Sequence, residues 1–486
     1  MTRRASAVTR RQLLSMGLGA AAGMIVAPQV LSAWTLPTPP VSDLDVALKA
    51  AHWIRRSRVE TKNGFAWPAD PLKPESVSYD LYNGMPGVIL FHLELFHATG
   101  DRTWLDDARL GASELTAQLA SMDSAHSAGL YDGLGGAVFV LEETHRATGE
   151  GRYRDAAKVA LAMIHAQAVK TNFGAAWQGP SAGNDIISGT AGIGLLLLWA
   201  DHKIGDPASR TLALAAGRHL RDVGMRVPGG LKWAVASNVT NLYPNFSHGT
   251  AGVSYFLATL MKATGDLSLM AAALSGAKYL QSVANKSNNG FKVFHHEPGG
   301  EDVYYMSWCH GPAGTARLYH RLSQITQREK WESVVFQAAR ATIASGAPET
   351  QSAGYWNNIS QCCGNAGVGE FFLSLQRRSP DAAYADMIAR VRTNTLGRAT
   401  VDGDGLKWVQ AENRVSPQTV VAQTGYMQGA AGVGSFYLHA DALAKGRPVA
   451  IQWPDSPTFD PCADAQAKGA RDFTDVVGAS SPGCSR

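Results

Sequence analysis

Seven copies of a G-x-x-G element constrain this chain more than any other feature. They read G-M-P-G at 84–87, G-L-G-G at 133–136, G-T-A-G at 189–192, G-T-A-G at 249–252, G-P-A-G at 311–314, G-N-A-G at 364–367 and G-A-A-G at 429–432, at intervals of 49 to 65 residues. A recurrence of this length marks a repeat architecture, in which each unit buries its apolar face against its neighbours. After most copies comes a run such as V-S-Y-F-L-A-T-L-M-K-A-T-G-D at 253–266. It is nearly apolar all round and closed by Gly-Asp, which predicts an inner helix buried on most sides. Between copies lie amphipathic stretches, among them 101–119, 267–280 and 328–344, that read as outer helices, and 45–56 supplies the first. A weaker repeat predicts a short strand or hairpin before the inner helices: G-F-A-W at 64–67, G-A-A-W at 174–177, G-L-K-W at 230–233, G-F-K-V at 290–293 and G-L-K-W at 405–408.

The expected fold is all-α, an α/α toroid of seven inner and seven outer helices over residues 43–445. A ring leaves no uncapped end, whereas the alternative, an open solenoid, exposes two. If the ring closes, all seven glycine elements meet at one mouth, where helix N-termini favour anions and thiolates. The chain is 45% apolar and 17% charged, enough for a large core. Its net charge of +4 is too small to imply a nucleic-acid footprint. A monomer is expected.

Both ends lie outside this pattern. T-R-R-Q-L-L at 9–14 precedes an uncharged, Gly/Ala-rich stretch running to Asp43, which looks like a twin-arginine export signal over 1–33. V-L-S-A-W at 30–34 offers a cleavage point after Ser32 or Ala33. The protein is then expected in the periplasm or outside the cell, or anchored in the membrane if the signal is uncleaved. The tail, 446–486, reads as a loosely ordered cover pinned by a Cys462–Cys484 disulfide, the default pairing after export, with a free thiol there as the alternative.

Three of the five cysteines remain, in W-C-H-G-P-A-G at 308–314 and C-C-G-N-A-G at 362–367. Aligned on the repeat, Cys309 and Cys362 stand two residues before the first glycine of adjacent units, with Cys363 one step on. Three thiolates near helix N-termini suit zinc, whose tetrahedral sulfur site would keep a fourth position open for water or substrate. Buried free thiols and a strained Cys362–Cys363 disulfide are the alternatives that spacing leaves open.

These two motifs, with S-H-G-T-A-G at 247–252 and N-D-I-I-S-G-T-A-G at 184–192 on seven repeats, resemble the lanthionine synthetase C family, the LanC-like cyclases. The resemblance implies an α/α toroid with a catalytic zinc at its mouth, held here by Cys309, Cys362 and Cys363. Most members use two cysteines and a histidine, and Cys363 stands where that histidine would be; the all-cysteine set is similar to the cyclase domains of certain broad-specificity class II synthetases. Three thiolates on Zn²⁺ leave a net charge of −1, so a fourth, substrate thiolate would stay strongly nucleophilic.

The activity implied is addition of a cysteine thiolate to dehydroalanine or dehydrobutyrine in a peptide or protein, forming a thioether, followed by protonation of the enolate; some relatives add glutathione, a small-molecule thiol, instead. The resemblance carries over three further residues. His248 matches a histidine that moves protons, His310 the position proposed to donate the enolate proton, and Asp185 an aspartate that orients a histidine or accepts the thiol proton. Their bland readings are a capping histidine for His248 and a carboxylate at a helix start for Asp185. Two departures stand out. Tyr305 replaces an arginine often found four residues before the first zinc cysteine, so an enolate stabiliser is missing or comes from elsewhere. No dehydratase domain precedes the toroid, so the dehydrated substrate is expected from another protein. A zinc-binding module without catalysis and a toroidal glycosidase are the competing readings. The second needs two convergent carboxylates, and Asp185 is the one acidic residue among these motif positions.

Overall fold

Glycine sets the helix starts. Residues 41–122 and 126–462 are described by a computed structural model, and among them fourteen α-helices alternate outer and inner. In order they are α1 (Asp43–Arg56), α2 (Met85–Thr99), α3 (Arg102–Leu119), α4 (Leu134–Thr148), α5 (Gly151–Gln167), α6 (Thr190–Lys203) and α7 (Pro207–Val223). There follow α8 (Thr250–Thr264), α9 (Leu267–Val283), α10 (Pro312–Thr326), α11 (Glu329–Ala344), α12 (Asn365–Arg378), α13 (Ala382–Gly397) and α14 (Ala430–Ala444). Every even-numbered helix begins one residue after the first glycine of a G-x-x-G element, which serves as its extended N-cap. The second glycine has a packing role. A Cβ at Gly314 would lie 1.8 Å from the Trp308 carbonyl oxygen, and one at Gly367 would lie 2.1 Å from that of Gln361, so only glycine lets these helices pack on their own leading loops.

The inner helices are buried nearly all round; α6 is buried continuously from Thr190 to Asp201. Outer helices carry the polar faces that the sequence predicts, capped by Asp101, Asp206, Asp266 and Asp381. Two-stranded antiparallel hairpins pair Val59 with Ala66, Val169 with Ala176, Met225 with Lys232 and Thr400 with Lys407. The predicted element at 290–293 is reduced to one bridge, Asn285 with Lys292. Hairpin tryptophans anchor these units inward: the Nε1–H groups of Trp177, Trp233 and Trp408 donate to the carbonyls of Ile164, Leu220 and Thr395 on the preceding outer helices.

A belt of backbone hydrogen bonds joins neighbouring units at the mouth. Tyr82 N–H donates to Tyr131, Tyr131 to Ile187, Ile186 to Ser247, Ser247 to Cys309, Cys309 to Cys362, Cys362 to Met427, and Met427 back to Tyr82, at 2.9–3.0 Å. The circuit returns to its start, so the array is a closed ring and not an open solenoid. Helix α1 completes it by packing on α14, with Asp43 paired to Arg392 at 2.6 Å.

The tail differs from expectation as far as it is described. Residues 451–462 form no loose cover but pack inward, touching residues of separate inner-helix units, whereas 446–450 are mostly exposed. Asp455 accepts from Tyr131 Oη and Arg317 Nη1, both at 3.0 Å. Arg321 Nη2 donates to the Phe459 carbonyl at 2.7 Å, and Trp453 packs against Tyr426 with centroids 4.7 Å apart. Buried Ile451, Asp455 and Phe459 supply the reason: an apolar lumen accepts a segment whose polar groups it can satisfy. The export signal at 1–33 and the Cys462–Cys484 pairing, through Cys484, lie outside the described residues.

Candidate metal centre

Of the two residues before the capping glycine of an inner helix, unit five supplies one sulfur, Cys309, and unit six supplies two, Cys362 and Cys363. Cys309 and Cys362 are both 3% exposed, and their loops are joined by the bond from Cys309 N–H to the Cys362 carbonyl. Cys363 Sγ lies 3.3 Å from both Cys309 Sγ and Cys362 Sγ. All three ligand atoms fall within 4.8 Å of one another. All three are free thiols, so the strained vicinal disulfide is not formed.

The donor set fits zinc. Tetrahedral Zn–S bonds of about 2.3 Å place sulfurs about 3.8 Å apart, about half an ångström more than the 3.3 Å that separates Cys363 from each of the other two. The thiols also behave as a unit that shares charge. Burial opposes ionisation of Cys309, yet hydrogen bonds from Cys362, Cys363 and Ser307 and from the His310 N–H hold it well below the usual thiol range. Cys362 is pushed up by burial and then by Cys309; Cys363 is pushed up by its bonds to Cys309 and Cys362. One thiolate forms readily among the three, and a cation at their centre would let the others follow.

Tyr82 occupies in the first unit the ring position that Cys309 and Cys362 occupy in theirs. Its hydroxyl donates to Cys362 Sγ at 2.9 Å and accepts from Gln428 Nε2 at 2.9 Å. A cavity of about 270 Å³ opens beside Cys362, lined by Asp80, Tyr82, Asn83, Asp132 and His248 among others. Asp80 and Asp132 add carboxylates that the motif reading did not pick out, although Asp80 precedes Gly84 by the same four residues that separate Asp185 from Gly189.

The structure brings His248 and Asp185 together, and Asp185 combines both readings of its role. One oxygen accepts from Ser188 N–H at 3.1 Å and Gly189 N–H at 2.7 Å, at the start of α6. The other pairs with His248 Nδ1. The His248 side chain is 37% exposed because it faces the cavity. Burial within the mouth lowers its basicity, but the Asp185 charge and hydrogen bond outweigh that and raise its pKa above the ordinary value.

His310 is 7% exposed, with Nε2 3.4 Å from Ser247 Oγ and, among the described residues, no partner for Nδ1. Burial, and then the neighbouring His295, His248 and His296, hold it well below the usual imidazole range. The His295 ring is tilted against Tyr305 at 4.3 Å and His310 at 4.4 Å between centroids, and burial followed by His296 brings its pKa down to about 3. Arg414 Nε donates to Tyr305 Oη at 3.2 Å. Repeat alignment could have found Tyr82; His295, His296 and Arg414 come from connecting loops, where no repeat register reaches them.

Residues 75–455 match the family described as lanthionine synthetase C-like protein. Among solved structures, nisin cyclase is similar at a TM-score of 0.57 and 15% identity, over 82% of this chain and 98% of that one. The Lin0763 protein from Listeria innocua gives 0.48 and 13%, over 84% and 99%. An α-1,6-mannanase from Salegentibacter sp. HEL1_6 gives 0.49 and 9%, over 83% and 100%. No curated protein matches the sequence. The likeness to nisin cyclase is one of fold, the α/α toroid.

Proposed function

Because this chain belongs to the lanthionine synthetase C-like family, we propose that it holds zinc through Cys309, Cys362 and Cys363 and adds a thiol to a dehydroamino acid. The observation that carries the reading is the convergence of three thiols, one of which, Cys362, lines a cavity together with His248. Zinc bound there would supply a Lewis acid that keeps a fourth thiol ionised near neutral pH. The protein's own groups would do the rest. The donor thiol gives its proton to the Asp185–His248 pair, which is built to hold positive charge. Sulfur bonds to the β-carbon of dehydroalanine or dehydrobutyrine, the carbon–carbon π pair moves toward the carbonyl oxygen, and the α-carbon takes a proton back from His248. His310, held neutral, lies 5.5 Å from His248 ring to ring and offers a relay through its one N–H and its bare ring nitrogen. Peptides or proteins bearing dehydroamino acids are the acceptors in this reading, and export by a twin-arginine signal over 1–33 would put the reaction outside the cytoplasm.

The test is mass spectrometry of the purified protein incubated with a dehydroalanine peptide and a panel of thiols. Wild type should give an adduct of peptide plus thiol and carry about one zinc per chain, and Cys309→Ala should lose both. A product unaffected by Cys309→Ala would sink zinc activation. Zinc without product from any thiol would favour a binding module. Sugar release from a mannan would instead favour the glycosidase reading, for which Asp80 and Asp132 are the candidate carboxylates.

A further inference from the structure

Thiol addition develops negative charge at two places, the sulfur and the acceptor's carbonyl oxygen, and the groups described so far serve the first. A nascent enolate oxygen needs a fixed donor or cation within hydrogen-bond reach. The cavity wall formed by Asp80 and Asp132 is the wrong sign. Lys232 is tied to Glu297 at 2.7 Å, and Arg317 to Asp455 at 3.0 Å. Arg414 is different: among the described residues no carboxylate pairs with it, and its Nε–H points at a tyrosine hydroxyl.

We propose that Arg414 and Tyr305 form an anion-holding pair that receives the acceptor's carbonyl oxygen as it becomes an enolate. This rests on the thiol-addition reading and assigns its missing electrostatic partner. Tyr305 is 6% exposed and clamped between His295 at 4.3 Å and Trp356 at 5.1 Å, with its ring edge-on to His310 at 5.6 Å. A clamped ring fixes its hydroxyl before substrate arrives, so no reorganisation is needed during reaction. A phenol carries its proton at neutral pH. Because its oxygen already accepts from Arg414, its own proton is left to donate.

Arg414 comes from the seventh unit, on the loop between the strands Gln410–Ala411 and Val420–Val421. The pair therefore joins the fifth unit to the seventh across the one that holds Cys362 and Cys363. In the step served, the β-carbon–sulfur bond forms and the acceptor π electrons come to rest on the carbonyl oxygen. That oxygen is neutralised by two N–H or O–H donors until the α-carbon is protonated.

The test uses 3-mercaptopropionate, whose S–C–C–C–O sequence reproduces the atoms joining sulfur to the enolate oxygen, and its uncharged analogue 3-mercaptopropionamide. Both are titrated into cobalt(II)-loaded protein, with thiolate-to-cobalt absorption as readout. Wild type should bind the carboxylate about tenfold more tightly than the amide, the scale of a charge-assisted hydrogen bond. Arg414→Met should reverse the order, because three thiolates with Asp80 and Asp132 then repel an anion. Arg414→Lys should keep part of the preference and Tyr305→Phe should reduce it, which serves if Arg414→Met fails to fold. Equal affinities in wild type, or an unchanged preference in Arg414→Met, would overturn the pair. A carboxylate preference in wild type that vanishes in Arg414→Met supports the pair even if no thioether product forms, an outcome that would overturn only the thiol-addition reading.

Discussion

His248 and His310 stand at the same place in successive units, one residue before the first glycine of an inner helix, with rings stacked 5.5 Å apart. Their chemistry is opposite. His248 is backed by Asp185 and raised above the ordinary imidazole value; His310 is backed by other imidazoles and held well below it. A repeat can place a side chain, but the neighbours supplied by connecting loops and adjacent units decide its charge. This division lets one ring of near-identical elements carry a proton acceptor and a neutral relay side by side.

Asp185→Asn attacks the difference most directly. Asparagine can still cap α6, so thermal stability should hold, while loss of the charge behind His248 should lower kcat for thiol addition by about 10²- to 10⁴-fold. A stable variant with full activity would remove His248 from proton transfer. His310→Asn should cost less, about tenfold in kcat, without moving the pH profile that His248 sets. An equal loss in both variants would erase the distinction. NMR titration of labelled histidines should find His248 protonated above its ordinary range in wild type and at a lower pH in Asp185→Asn, where the largest opposition to burial is gone; His310 should stay neutral in both.

His439 sharpens the same comparison away from the mouth, with a smaller effect. It is buried between Glu370, 2.7 Å from Nδ1, and Glu94, 3.3 Å from Nε2. Burial disfavours its charge, but the two carboxylates carry it up to about 10. A pKa raised on folding stabilises fully below the unfolded value near 6.5 and loses its contribution as pH rises through about 10. The wild-type melting temperature should therefore fall by a few degrees between about pH 8 and 10.5 beyond the fall in His439→Gln. Parallel curves would show that the triad adds nothing net.

Much of this was legible in the sequence because glycine spacing is a backbone requirement that side-chain drift does not blur. The seven element starts, the order of helices and the convergence of Cys309, Cys362 and Cys363 all follow from aligning G-x-x-G copies. Asp185 and His248 were found by motif resemblance. The remainder depends on what closes over the ring. Arg414, His295 and His296 sit in loops whose course no periodicity fixes, and Asp80 and Asp132 become mouth residues only once the first two units face the sixth. Residues 451–462 read as loose because they are rich in proline and polar groups; their packing comes from partners such as Arg317 and Tyr131, invisible in the tail itself.

X-ray absorption at the zinc edge tests whether Cys309, Cys362 and Cys363 form an open three-sulfur metal centre. Zinc-loaded protein should show three sulfur neighbours at about 2.3 Å and one lighter atom, changing to four sulfurs when a substrate thiol is added. A site that already holds four protein ligands, or one whose sulfur count does not change with added thiol, would contradict the account.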